Sequence, residues 1–105
     1  MVQAKTEPFE AEDIKLADMA KALSHPARIR ILRILNQLNQ CVVGELVELL
    51  PLSQSTVSQH LKELKRVGLI KGEIEGPKIC YCLDEQVVAA TKAAFNTLFS
   101  SFKCC

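Results

Sequence analysis

Five cysteines, Cys41, Cys80, Cys82, Cys104 and Cys105, are the side chains of this 105-residue sequence best suited to bind a soft ion or to change with redox state. Cys80 and Cys82 stand two apart in a stretch that reads as a strand, so both point to one face. Cys104 and Cys105 are adjacent at the chain end, where a fraying helix lets both sulfurs turn toward one ion. Thiolates prefer soft metals and metalloids. The alternative chemistry is a reversible disulfide or another sulfur oxidation, although an i, i+2 pair in a strand lies near the geometric limit for a mutual bond. Cys41, Cys80 and Cys82 can also serve as small apolar fillers.

A second set of residues points to a different chemistry. Ser53-Gln54-Ser55-Thr56-Val57-Ser58-Gln59-His60-Leu61-Lys62 carries apolar side chains at Val57, Leu61 and, beyond it, Leu64. That i, i+4, i+7 stripe predicts a helix with one buried face. The opposite face then presents Gln54, Ser55, Ser58, Gln59 and Lys62, with Thr56 in the first turn. Amides and hydroxyls at the N-terminal end of a helix suit base edges in a major groove, and the first-turn N–H groups suit a phosphate. Lys62, Lys65 and Arg66 are expected on the DNA backbone, where they position without reading sequence. His60 lies beside the stripe and has two readings, a partly buried histidine bonded to a neighbouring helix or a DNA contact.

The elements that must hold these residues follow from periodicity and punctuation. Residues 1–9 are expected to be frayed. Ile14, Ala17, Met19, Ala20 and Leu23 mark a first helix from Glu10 to Leu23. Ser24 and Pro26 suit the start of a second, with His25 part of the cap, and the helix carries Ile29, Ile31, Leu32, Ile34, Leu35 and Leu38. Cys41-Val42-Val43 reads as a short extended piece after a polar break. Gly44 to Leu50 reads as a short third helix stopped by Pro51. Ser53 caps the fourth and Gly68 ends it. Leu69-Ile70 with Ile74, a turn at Glu75-Gly76-Pro77-Lys78, and Ile79 to Leu83 form a hairpin. Asp84 caps a last helix reaching about Lys103.

The expected fold is therefore mainly α with a small β-hairpin. It is a winged helix-turn-helix of order α-α-α-α-β-β-α, in one domain spanning residues 1–105, with the helix-turn-helix at 44–66 and the wing at 69–83. In the wing, Lys71 and Lys78 are candidate phosphate contacts, but Glu73 and Glu75 between them limit its contribution.

Net charge is +1, and its distribution is uneven. Residues 1–20 set two lysines against five carboxylates, residues 21–83 nine basic groups against five acidic ones, and the remainder two against two. The middle is the part able to face phosphates. The acidic N-terminus has no apolar run of the kind a secretion signal needs, and no stretch approaches a membrane span. The cytoplasm is the expected compartment, where thiols stay reduced and structural disulfides are not expected. No Ser/His/Asp set, phosphate loop or paired carboxylates mark an enzyme. A winged-helix module that binds protein instead of DNA is an alternative consistent with the near-neutral total and the acidic wing.

Taken together, Lys21-Ala22-Leu23-Ser24-His25-Pro26-Ala27-Arg28-Ile29-Arg30-Ile31-Leu32, then Gly44-Glu45-Leu46, the Ser53–Leu64 segment and Gly68-Leu69-Ile70 resemble the ArsR/SmtB family of metalloregulatory repressors, over about residues 12–100. The resemblance implies a homodimer joined through the first and last helices. It also implies binding to double-stranded operator DNA, an inverted repeat, with release when an inducer binds. Ile14, Phe95, Leu98, Phe99 and Phe102 are the expected dimer face, because the last helix carries more apolar surface than one end helix of a small domain should show. Many family members sense metal through a Cys-Val-Cys or Cys-Val-Gly box before the third helix. Here Val42 replaces the box cysteine and Cys41 lies one position earlier, so that site does not transfer. The last helix also lacks the family's Asp/His zinc pattern. As(III)-sensing members place cysteines variably, some near the end of the last helix. The resemblance thus implies As(III) or Sb(III) as inducer, held by Cys104, Cys105 and a third thiolate from Cys80, Cys82 or Cys41, in a three-sulfur pyramid. No permanent cofactor is expected.

Overall fold

The computed structural model describes residues 8–38, 42–43, 49–75 and 78–105. Helix α1 (Ala11–Ala22) follows Glu10, which stands at the N-cap without a side-chain bond. Helix α2 (Pro26–Leu38) is capped by His25, as its place before Pro26 suggests, and not by Ser24. The His25 Nδ1 accepts from Ala27 N–H at 3.0 Å. Ser24 instead donates its hydroxyl to the Lys21 carbonyl at 2.7 Å and so closes α1. His25 immediately precedes the proline, and that position is the one facing the orphan N–H groups of the first turn.

Helix α3 (Gln54–Arg66) begins at Ser53, whose hydroxyl accepts from Thr56 N–H at 3.4 Å and lies 3.0 Å from the Thr56 hydroxyl. Its end is a Schellman motif. Gly68 N–H bonds the Lys65 carbonyl at 3.0 Å and Leu69 N–H the Leu64 carbonyl at 3.1 Å. Gly68 has φ +86°, a conformation that costs a residue with a Cβ. The chain therefore leaves α3 in one fixed direction and enters the sheet at once.

Strands β2 (Ile70–Glu75) and β3 (Lys78–Leu83) pair antiparallel, in register from Ile70 opposite Leu83 to Glu75 opposite Lys78. The wing is wider than the expected hairpin. Strand β1 (Val42–Val43) adds to the free edge of β3, with Val42 opposite Tyr81 and Val43 opposite Cys80, in the order β1-β3-β2. The extended piece read at residues 41–43 thus has partners 37 and 39 residues away. Helix α4 (Glu85–Ser100) starts at Asp84, whose carboxylate accepts from Gln86 and Val87 N–H at 3.0 and 3.2 Å. It ends at Ser101, short of the expected Lys103; Ser101 turns its hydroxyl back to the Leu98 carbonyl.

The stripes of α2 and α3 meet to make the core. Ile31, Leu35, Val57, Leu64 and Ile70 are its largest fully buried side chains, with Leu61, Leu69, Met19 and Leu50 around them. Helix α1 contributes Met19 and Ala22 and packs against α4. The expected helix at 44–50 lies outside the described residues except for its end, where Leu50 is buried and Leu49 exposed. The turn expected at Gly76-Pro77 and most of residues 1–9, expected to be frayed, lie outside them too. No helix among the described residues is long and apolar enough to cross a membrane.

Candidate nucleic-acid interface

Burial divides α3 into two faces. Val57, His60, Leu61 and Leu64 point inward. Gln54, Ser55, Gln59, Lys62, Lys65 and Arg66 are exposed, and Thr56 and Ser58 are half-buried. One continuous strip therefore runs from amides and a hydroxyl at the capped N-terminal end to cations at the other. Thr56 faces the cap more than the strip, through its contact with Ser53. Among the described residues, neither Lys62 nor Lys65 has a carboxylate partner, so their charges are available to phosphates. Lys71 on β2 is exposed beside this helix end. Lys78 is placed opposite Glu75 by strand register.

Two of the expected DNA contacts are engaged elsewhere. His60 is 8% exposed and faces the core. Its Nδ1 accepts from Arg28 Nε at 3.1 Å, and its ring lies 4.4 Å from that of His25. Because Nδ1 accepts, the neutral ring carries its proton on Nε2. Burial lowers the basicity of His60, and the neighbouring His25 and Arg28 lower it further. The DNA-contact reading of His60 is corrected accordingly, since a side chain turned into the core cannot reach a groove. Arg66 is exposed but already paired within the protomer. Its guanidinium grips Asp18 of α1 with both terminal nitrogens, at 2.9 and 3.0 Å, and Glu63 at 3.0 and 3.1 Å. The hydrogen bonds and charge of Arg66 pull both carboxyls below their ordinary range, while the two carboxylates raise Arg66 in turn.

Asp18 and Arg28 were not singled out from the sequence. Their partners lie 48 and 32 residues away, and no local pattern signals such pairs. Arg28 also donates to the Lys21 and Ala22 carbonyls at 3.3 Å each. It thereby satisfies the free C-terminal end of α1 while holding the middle of α3.

A second exposed surface, apolar, lies on α1 and α4. None of the sixteen residues of α4 is buried within the protomer. Phe99 and Phe102 are 61% and 54% exposed, and Ile14 on α1 is 52% exposed. The two phenylalanines meet edge to face at 5.5 Å between ring centroids. Leu98 is also exposed. Phe95 differs from the other expected dimer residues: it is half-buried and packs on the protomer's own core.

Cys104 and Cys105 are exposed, beyond the end of α4. Cys82 is half-buried on β3. Cys41 lies outside the described residues, as does the side chain of Cys80. Among the described residues of one protomer, no three His, Cys, Asp or Glu side chains are grouped to hold a metal ion. Cys82 therefore does not join the terminal pair within a protomer.

A capped helix with one face sealed in the core and one polar face exposed, leading straight into a three-stranded sheet, defines a DNA-binding protein of the winged helix-turn-helix class. A model of the arsR family of bacterial regulatory proteins matches residues 25–71. The chain is 32% identical over 91 residues to the HTH-type transcriptional regulator YgaV of Escherichia coli, spanning 87% of this chain and 92% of YgaV. It is 40% identical over 72 residues to the HTH-type transcriptional repressor SmtB of Mycobacterium tuberculosis, spanning 69% of this chain and 53% of SmtB. The solved structure of HlyU from Vibrio cholerae superposes with a TM-score of 0.67 at 33% identity, over 89% of this chain and 100% of HlyU. The chain belongs to the arsR family and is a transcription regulator, not an enzyme.

Proposed function

We propose that the protein is a homodimeric repressor that holds an inverted-repeat operator through two α3 helices and is released when its cysteine thiolates take trivalent arsenic or antimony. The observation that carries the DNA-reading part is the exposed strip Gln54, Ser55, Gln59, Lys62 and Lys65 on a helix whose opposite face is sealed in the core. Reading a palindrome requires two such strips about 34 Å apart, one turn of DNA. The uncovered apolar faces of α1 and α4 supply the surface on which two protomers would join. Repression is supported by the likeness to SmtB, itself a repressor.

For the signal, Cys104 and Cys105 would provide two thiolates, and Cys41, Cys80 or a cysteine of the second protomer the third. Closing them on one centre ties the loose end of α4 to another element. The tie can release DNA only if it favours a dimer in which the two reading helices are misaligned. A second reading, a thiol-redox or reactive-sulfur response, is favoured by one observation. Cys104 and Cys105 are both exposed beyond the end of α4, open to an oxidant or to a thiol of a second protomer.

The test is a complex of the protein with DNA from upstream of its own gene, titrated with arsenite, then with a mild thiol oxidant. Release by arsenite that is lost in a Cys104→Ser, Cys105→Ser double variant, with three-sulfur coordination by X-ray absorption, supports the arsenic response. Release by oxidant alone moves the signal to the redox reading. Absence of DNA binding at any salt concentration would remove the repressor proposal.

A further inference from the structure

Helix α3 is tied to the rest of the protomer by two polar contacts on one side. At its middle, His60 accepts from Arg28, which is itself seated on the last carbonyls of α1. At its last turn, Arg66 is gripped by Asp18 of α1 and by Glu63. The two anchor residues are six positions apart, about 9 Å along a helix axis. Spaced along the axis, the two contacts add directional restraints toward α2 and α1 to the apolar packing of Val57, Leu61 and Leu64. The Asp18 contact is a two-pronged Arg–carboxylate pair, the geometry that adds directional specificity to a charge contact. Apolar packing alone holds a helix less strictly against sliding and rotation.

We propose that Asp18 is a positioning residue for DNA reading: by holding Arg66 it sets the tilt of α3. The proposal rests on the assignment of α3 as the reading helix. Asp18 itself touches no DNA. The same contact makes α1 a lever on α3, so that a shift of α1 against α4 is carried to the exposed strip.

The experiment measures operator affinity of the full-length protein across a range of salt concentrations for wild type, Asp18→Asn, Arg66→Gln and the double variant. Each single variant is expected to bind roughly three- to tenfold more weakly, and the double variant no more weakly than either, because both remove one contact. The slope of log affinity against log salt is expected to stay unchanged, since no phosphate contact is lost. Asp18→Glu, which keeps a carboxylate for the fork, is expected to recover affinity, and circular dichroism melts confirm that each variant is folded. Asp18→Asn binding as tightly as wild type or tighter overturns the proposal. So does a slope reduced by about one per protomer in Arg66→Gln, the mark of a direct phosphate contact. If Asp18→Asn fails to fold, Asp18→Glu and Arg66→Gln carry the same comparison. A wild-type protein that binds no operator overturns the reading-helix assignment and this inference together, whereas binding that ignores Asp18 overturns this inference alone.

Discussion

Arg28 Nε donates to His60 Nδ1 at 3.1 Å, joining the first turn of α2 to the middle of α3 across 32 residues of sequence. The contact requires a neutral imidazole, because a protonated ring has no acceptor to offer. Two further facts push the same way: the ring is buried, and positive charge on the neighbouring His25 or Arg28 opposes a charge on it.

Stability should therefore fall on mild acidification. The folded-state pKa of His60 lies below the value of an unfolded histidine, about 6.5, so the unfolded chain binds more protons in between. The contribution of this contact is complete above about pH 6.5 and is lost as pH falls through the folded value. Asp18 and Glu63, whose carboxyls are also lowered, lose theirs only in the more acidic carboxylate range. Urea unfolding at pH 7.5, 6.0 and 5.0 is expected to show a decline that His60→Gln flattens. An unflattened decline would place the titrating group elsewhere.

Lys62 and Gln59 should separate affinity from specificity. Both are exposed on α3, but a lysine meets phosphate and a glutamine meets a base edge. Lys62→Ala is expected to weaken binding to all DNA sequences and to lower the salt slope by about one per protomer. Gln59→Ala is expected to leave the slope alone and to cost about 1–3 kcal/mol of discrimination at one base position. Fluorescence anisotropy on matched and mismatched duplexes measures both.

Gly68→Ala should destabilise the fold by about 1–2 kcal/mol. The cost comes from φ +86° at the end of α3. A new Cβ would also lie 3.4 Å from Val87 of α4, an added close contact. Thermal melts of the two proteins give the comparison, and an unchanged midpoint would contradict the Schellman geometry.

Phe99→Glu should weaken self-association while leaving the protomer helical. Phe99 is 61% exposed and contributes nothing to the buried core, so a charge there meets water in the monomer and an apolar face in a dimer. Sedimentation equilibrium is expected to show a shift toward monomer with an unchanged far-ultraviolet spectrum. A dimer as tight as wild type would move the interface off α4.

The sequence by itself determined much of the protein's local architecture. The i, i+4, i+7 spacing of Val57, Leu61 and Leu64 assigned the inner face of α3. Ser53 and Asp84 announced their helices, and Gly68 announced an ending, because caps and left-handed residues act within one turn of chain. The exposed side of α3 was legible for the same reason: once the stripe is turned inward, the opposite residues have only one place to go. What only the tertiary structure decided depends on partners far apart in sequence. Periodicity placed His60 at the edge of the stripe, but only Arg28 and His25 explain why it is inside. Charge alone sent Arg66 to phosphate, whereas folding brings Asp18 against it. Strand β1 found its partner in β3, which no hairpin signal connects. These are contacts between segments that meet only after the chain has collapsed, so nothing in the local spacing of residues encodes them.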